Sequence, residues 1–244
     1  MNEQFSIGKD RLSVNKLVQM SSAPRPNIFM ETETIEKIKK FRSMVIDGSN
    51  SGKSIYGVNT GFGFLSDVKI PSHKLEELQL NLIRSHACGV GKDVEADVVR
   101  GLLILKLHSF AQGYSGVSVG CVETMQAFLQ HDLLPQIPEQ GSVGASGDLA
   151  PLAHLALGII GEGDVSYDGE ILPAKIALDR INLDPLQPGA KEGLSLINGT
   201  QYMTVLSAFA VHEAEILAKT ADIIVAMSLD SIRGTLSAFD SRID

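Results

Sequence analysis

Across residues 200–243 apolar side chains recur at helical spacing, with Gly234 as the one interior breaker and too few polar positions to give the segment a wet face. A helix of that length far exceeds the roughly 8–20 residues usual in globular domains. It has to be buried on most sides, and a chain of 244 residues offers little to cover it. Partner helices, from other chains or from a continuation of this one, are the expected cover. The chain therefore reads as mainly α, a helical bundle with long central helices. Residues 1–199 form a first unit, and residues 200–244 open the long-helix bundle and read as truncated, since the sequence stops within a helical pattern.

Helical periodicity also marks residues 72–86, where Leu75, Leu78 and Leu82 share a face, and residues 94–112, 118–131 and 149–160. Residues 1–45 are mixed and polar, with one helical stretch at 34–44. Residues 164–173 read as a β-hairpin turning at Asp168-Gly169. A hydrophobic content of 44% supports a sizeable core, and a net charge of -8 argues against a general nucleic-acid or membrane-surface binder. No run of about 18 apolar residues suggests a membrane span, and residues 1–6 lack an apolar signal core, so cytoplasm is the expected location. Cys88 and Cys121 have neither disulfide-framework nor zinc-site spacing and read as buried small hydrophobes. His108, His131, His154 and His212 are isolated, so no metal is expected.

The chemistry concentrates in residues 141–152, Gly-Ser-Val-Gly-Ala-Ser-Gly-Asp-Leu-Ala-Pro-Leu. Proteins are rich in nucleophiles and poor in electrophiles. If a tight turn presses the Gly147 nitrogen onto the Ala145 carbonyl carbon, the segment can close into a five-membered ring, and loss of the Ser146 hydroxyl leaves a conjugated methylene. Small Ala145 and conformationally free Gly141, Gly144 and Gly147 suit that closure. Asp148 and Pro151 then open a helix. Two rival motifs fail on counting. Residues 48–54 have three residues between glycines where a phosphate-binding loop needs four, and they lead into a loop. Residues 144–148 place the second glycine one position early for a nucleophile elbow, which leaves a serine hydrolase using Ser146 with His154 as base the weaker enzyme reading.

Residues 141–156 resemble the signature of the aromatic amino-acid ammonia-lyase and aminomutase family, whose Ala-Ser-Gly triplet matures into 4-methylidene-imidazol-5-one (MIO). Three further segments match in the family's order: Tyr56-Gly57-Val58-Asn59-Thr60-Gly61-Phe62-Gly63, Asn81-Leu82-Ile83-Arg84-Ser85-His86 and Gly193 to Gln201 with its Asn198-Gly199-Thr200 element. The resemblance implies MIO formed from Ala145, Ser146 and Gly147 without a metal. It implies Tyr56 as the base that takes the substrate's β-proton, Asn198 as the amide donor to an oxygen gaining charge, and His86 and Gly63 against the substrate. A phenol with a pKa of about 10 needs help to serve as that base.

Ser85-His86 resembles the histidine ammonia-lyase branch, which turns L-histidine into trans-urocanate; a tyrosine or phenylalanine ammonia-lyase or aminomutase remains an alternative. Family members are homotetramers of roughly twice this length, and their second half supplies a tyrosine, a carboxylate-binding arginine and a glutamate not assignable here. The implied partners are a small aromatic amino acid and copies of the chain itself. The non-enzymatic alternative is an inactive half-length helical assembly protein.

Overall fold

The computed structural model describes residues 4–51, 53–63, 68, 70–144 and 147–243. Ala145 and Ser146, two residues of the expected ring, lie outside the described residues.

The fold is mainly α, and its centre is helix α4 (Ala96–Ala111). It is buried over most of its circumference, and Leu102, Leu103, Ile104 and Leu107 are fully buried. Around it pack α1 (Val14–Ser21), α2 (Thr32–Asn50), α5 (Val119–His131) and the start of α9 (Gln201–Ser231). A second group joins α3 (Leu75–His86), α6 (Leu149–Ile159) and α8 (Glu192–Ile197), each touching the other two. Short strands clamp the segments between helices. The pair β1 (Phe5–Ser6) and β2 (Ile28–Phe29) is parallel; β3 (Val90–Asp93) and β5 (Pro138–Gln140) are antiparallel. In the third sheet β6 (Asp164–Tyr167) lies between β4 (Leu134–Pro135) and β7 (Glu170–Pro173), and α7 (Ala174–Arg180) follows. The expected hairpin is β6–β7, with Asp168 and Gly169 both at positive φ, 49° and 83°, as a type I′ turn requires.

Three expectations need correction. The long terminal helix stops at Ser231, well before residue 243. Arg233 turns left-handed (φ 52°), its N–H bonds to the Asp230 carbonyl, and the Gly234 N–H closes onto Leu229 at 2.7 Å. That is a Schellman ending with arginine in the left-handed position and the glycine one residue later. Cys88 is exposed, because it sits in the turn after α3, whereas Cys121 is buried in α5. The polar N-terminal region contains a whole helix, α1, started by the Ser13 hydroxyl accepting from the Lys16 N–H, and α2 runs longer than 34–44.

Helix α9 changes character along its length. Tyr202, Val205 and Ala208 are buried against α1 and α4, but Ile216, Leu217, Ile223, Ile224 and Met227 are exposed. Its close approach to α4 depends on Gly101, where a Cβ would overlap the Val205 side chain and come within 2.9 Å of Ser21 Oγ. Gly101→Ala is expected to lower the unfolding free energy by about 1–3 kcal/mol, more than the roughly 1 kcal/mol that alanine returns in helix propensity. Urea denaturation checks this, and an unchanged midpoint would show that α4 and α9 can separate at no cost.

Candidate active site

Helix α6 carries the glycine-rich loop on its N-terminus, and the Asp148 N–H there donates to the Gly199 carbonyl at 2.8 Å. Asp148 stands in the cap position of α6, but its side chain does not cap that helix. The carboxylate is fully buried: Oδ1 accepts from Ser142 Oγ at 2.8 Å and Oδ2 accepts from the Met203 N–H at 3.0 Å. It therefore satisfies an orphan donor in the first turn of α9, where a negative charge also suits the helix dipole. Ser142 Oγ in turn accepts from the Gly144 N–H at 3.2 Å.

Asn198 follows α8, and its backbone N–H closes onto Leu194 at 2.9 Å. Its side chain is exposed and lies against Gly147, where a Cβ would sit 3.3 Å from Asn198 Oδ1. Gly199 takes φ 146° with the Gln201 side chain crowding the space a Cβ would need, so only glycine suits the turn. Two of the expected site residues, Gly147 and Asn198, are thus in contact.

His86 is the last residue of α3 and is half-buried. Its Nδ1 lies 2.8 Å from the Leu82 carbonyl and 3.1 Å from Ser85 Oγ. A carbonyl partner requires a proton on Nδ1, which in the neutral ring leaves Nε2 as an acceptor for a ligand. The turn after His86 is tied to α6, because the Gly89 N–H donates to His154 Nε2 at 3.0 Å. Burial lowers the His154 pKa, with Asp93 pulling the other way, so the neutral acceptor form is favoured. His154 is held by backbone, which explains its place better than service as a free base.

Tyr56 stands 57% exposed in a turn, its ring edge-on to Phe62 with centroids 6.1 Å apart. Buried Asn59 shapes that loop: Oδ1 accepts from the Ile55 N–H at 2.7 Å and Nδ2 donates to the Lys53 carbonyl at 2.8 Å. The loop rests on α8 at Gly57, where a Cβ would overlap Leu194. Leu194 is anchored to α3 by its N–H, which donates to Oε1 of buried Gln79 at 3.1 Å. At Gly63 no atom of the described residues lies within 4 Å of a Cβ position. Helices α6 and α8 are therefore the frame on which all the matching segments are hung.

Sequence reasoning missed Lys106. It is a lysine within Leu102-Leu103-Ile104-Leu105-Lys106-Leu107, and a charge inside an apolar run was the available signal. It is 1% exposed, its Nζ donates to the Asn198 carbonyl at 2.7 Å, and it lies 5.1 Å from the Phe110 ring centroid. Burial lowers its pKa to about 7, against the opposing pull of Cys121 and Asp148. Since an unfolded lysine titrates near 10.5, between those values the unfolded chain holds a proton that the folded chain has released, and stability rises with pH. From pH 7 to pH 9 the unfolding free energy is expected to rise relative to Lys106→Met by on the order of 2 kcal/mol. Parallel pH curves for the two proteins would refute the assignment.

Among the described residues, no helix is long and apolar enough to cross a membrane, and no three metal-ligating side chains cluster. The family model for aromatic amino acid lyase matches residues 12–244. Histidine ammonia-lyase of Geobacillus thermodenitrificans (strain NG80-2) is 49% identical over 211 residues, which cover 86% of this chain and 42% of that protein. The crystal structure of histidine ammonia-lyase from Trypanosoma cruzi matches with a TM-score of 0.87 at 37% identity, over 95% of this chain and 45% of that one. Tyrosine aminomutase from Streptomyces globisporus matches with a TM-score of 0.90 at 35% identity, over 97% and 44%. The chain spans less than half the length of these relatives. With nearly its whole length matched and its helical frame shared, the chain belongs to the aromatic amino acid lyase family.

Proposed function

We infer that this chain carries the electrophile-bearing part of an ammonia-lyase that eliminates ammonia from L-histidine to give trans-urocanate. The observation that carries the reading is the contact of Gly147 with the Asn198 amide, locked by the bond from Asp148 N–H to the Gly199 carbonyl. Those residues fit an MIO group: Gly147 lacks the side chain that would crowd the Asn198 amide, which turns its Oδ1 toward Gly147 and carries on Nδ2 the donor that the group's oxygen would take. Built from Ala145, Ser146 and Gly147, the group would supply an electrophilic carbon that assists departure of a poor leaving group.

This chain's residues then divide the remaining work. Tyr56, once deprotonated, takes the β-proton; the electron pair of that C–H bond becomes the new double bond as ammonia leaves the α-carbon. Asn198 stabilises charge on the neighbouring oxygen. His86 presents Nε2 to the imidazole N–H of the substrate, and Gly63 leaves room beside it. Histidine is favoured by Ser85-His86 and by similarity to histidine ammonia-lyases; the likeness to a tyrosine aminomutase supports the second reading, an aromatic amino-acid lyase or aminomutase of other specificity. Self-association as a homotetramer, with residues 1–199 as the site-bearing unit and residues 200–244 opening the central bundle, accounts for the exposed apolar length of α9. Cytoplasm suits such an enzyme.

Ser146→Ala is expected to abolish turnover and to restore the mass of two waters, about 36 Da, that ring closure removes, with helical circular dichroism unchanged. Intact-mass spectrometry and urocanate absorbance check both, and near-normal turnover by the variant would sink the reading. His86→Leu is expected to shift the ratio of kcat/KM for histidine over phenylalanine by about tenfold or more toward phenylalanine. An unmoved ratio would make His86 a bystander.

A further inference from the structure

Two consecutive carbonyls of the turn after α8 are held by different elements. The Gly199 carbonyl accepts from Asp148 N–H on the loop before α6, and the Asn198 carbonyl accepts from Lys106 Nζ on α4. With the Asn198 N–H closed onto Leu194, three backbone atoms around the Asn198 side chain are tied down. Lys106 is an expensive way to do this. It is 1% exposed, with Phe110, Cys121 and Asp148 near it, and among the described residues it forms no salt bridge and no other hydrogen bond. A methionine would fill the same space without desolvating an amine. Packing does not explain a lysine at this place; the carbonyl it reaches does.

We propose that Lys106 is a positioning residue: by fixing the Asn198 carbonyl it sets the plane of the Asn198–Gly199 peptide and so aims the Asn198 amide at Gly147. The proposal rests on the lyase reading given above for its purpose, but the hold on the turn is a property of this chain alone. Without that bond, the turn keeps the Gly199 tether and loses the one that orients Asn198. An amide misplaced by about 1 Å at a reacting centre can cost about 100-fold in rate. Substrate affinity should be spared, because Asn198 acts on developing charge.

The test is a mutant cycle in the full-length protein with Lys106→Met, Lys106→Arg, Asn198→Ala and the Lys106→Met/Asn198→Ala pair. Lys106→Met is expected to lower kcat about 10–100-fold with KM within about twofold, and Lys106→Arg, which keeps a donor, to recover most of that loss. In the Asn198→Ala background Lys106→Met should cost less than about twofold, because its effect passes through the missing amide. Hydrogen exchange of the Asp148 amide, which is bonded to Gly199, should be faster in Lys106→Met, with the interior of α4 unchanged. Should the methionine variant fail to fold, Lys106→Gln, a polar side chain on a shorter stem, takes its place in the same cycle. Unchanged exchange with unchanged kcat, or an equal loss of kcat in both Asn198 backgrounds, overturns the proposal. A parent protein with neither turnover nor the two-water mass deficit overturns the lyase reading, and the exchange comparison then decides the Lys106 assignment alone.

Discussion

The buried Asp148 carboxylate is the interaction on which the site depends. It accepts from Ser142 in the glycine-rich loop and from Met203 in the first turn of α9, while its own N–H reaches Gly199. The glycine-rich loop and the chain running from the turn after α8 into α9 are held by one residue. A carboxylate without water needs every one of these bonds, since a buried acceptor left unpaired costs about 1–3 kcal/mol and a charged one more. The same need makes the arrangement specific: the loop, the turn after α8 and α9 satisfy Asp148 together or leave it stranded. Lys106, at one side of this cluster, adds an amine bonded to the turn after α8.

The long elements were legible because they repeat. The periods over α3, α4, α5 and α6 gave those helices to within a few residues, and Asp-Gly gave the β6–β7 turn. Short elements were not. Helix α8 has six residues and α7 seven, too few for a period to show, and both take their stability from what they pack against. The end of α9 was missed because the breaker, Gly234, lies one place beyond the left-handed residue, and Arg233 carries no such signal. Among the expected site residues, Tyr56, His86, Gly147 and Asn198 stand in sequence motifs, and the structure sets Gly147 beside Asn198. Those that act by burial were hidden, because Lys106 and His154 look like isolated polar residues until the fold places a backbone partner opposite each.

A division of labour follows. The expected site residues Tyr56, His86 and Asn198 are exposed or half-buried, whereas Asn59, Gln79, Lys106 and Asp148, which bond to the backbone around them, are buried. Each supporting residue bonds to backbone: Asn59 within the Tyr56 loop, Gln79 to Leu194 of α8, Lys106 to the turn after α8 and Asp148 to that turn and to α9. Backbone is the better handle, since it moves the functional side chain without competing for its polar atoms.

Helix α9 joins this local order to a larger surface. Its first turn is bonded to Asp148, and the Tyr202 hydroxyl donates to the Glu139 carbonyl at 3.3 Å, just before the glycine-rich loop. Three turns later the same rigid rod presents Ile216, Leu217, Ile223 and Ile224 to water. Apolar side chains in that number exceed what a solvated helix normally displays, so the faces gain free energy from any cover they find. The loop bearing Gly147 hangs from the same carboxylate through Ser142, so the glycine-rich loop and the first turn of α9 belong to one hydrogen-bonded unit.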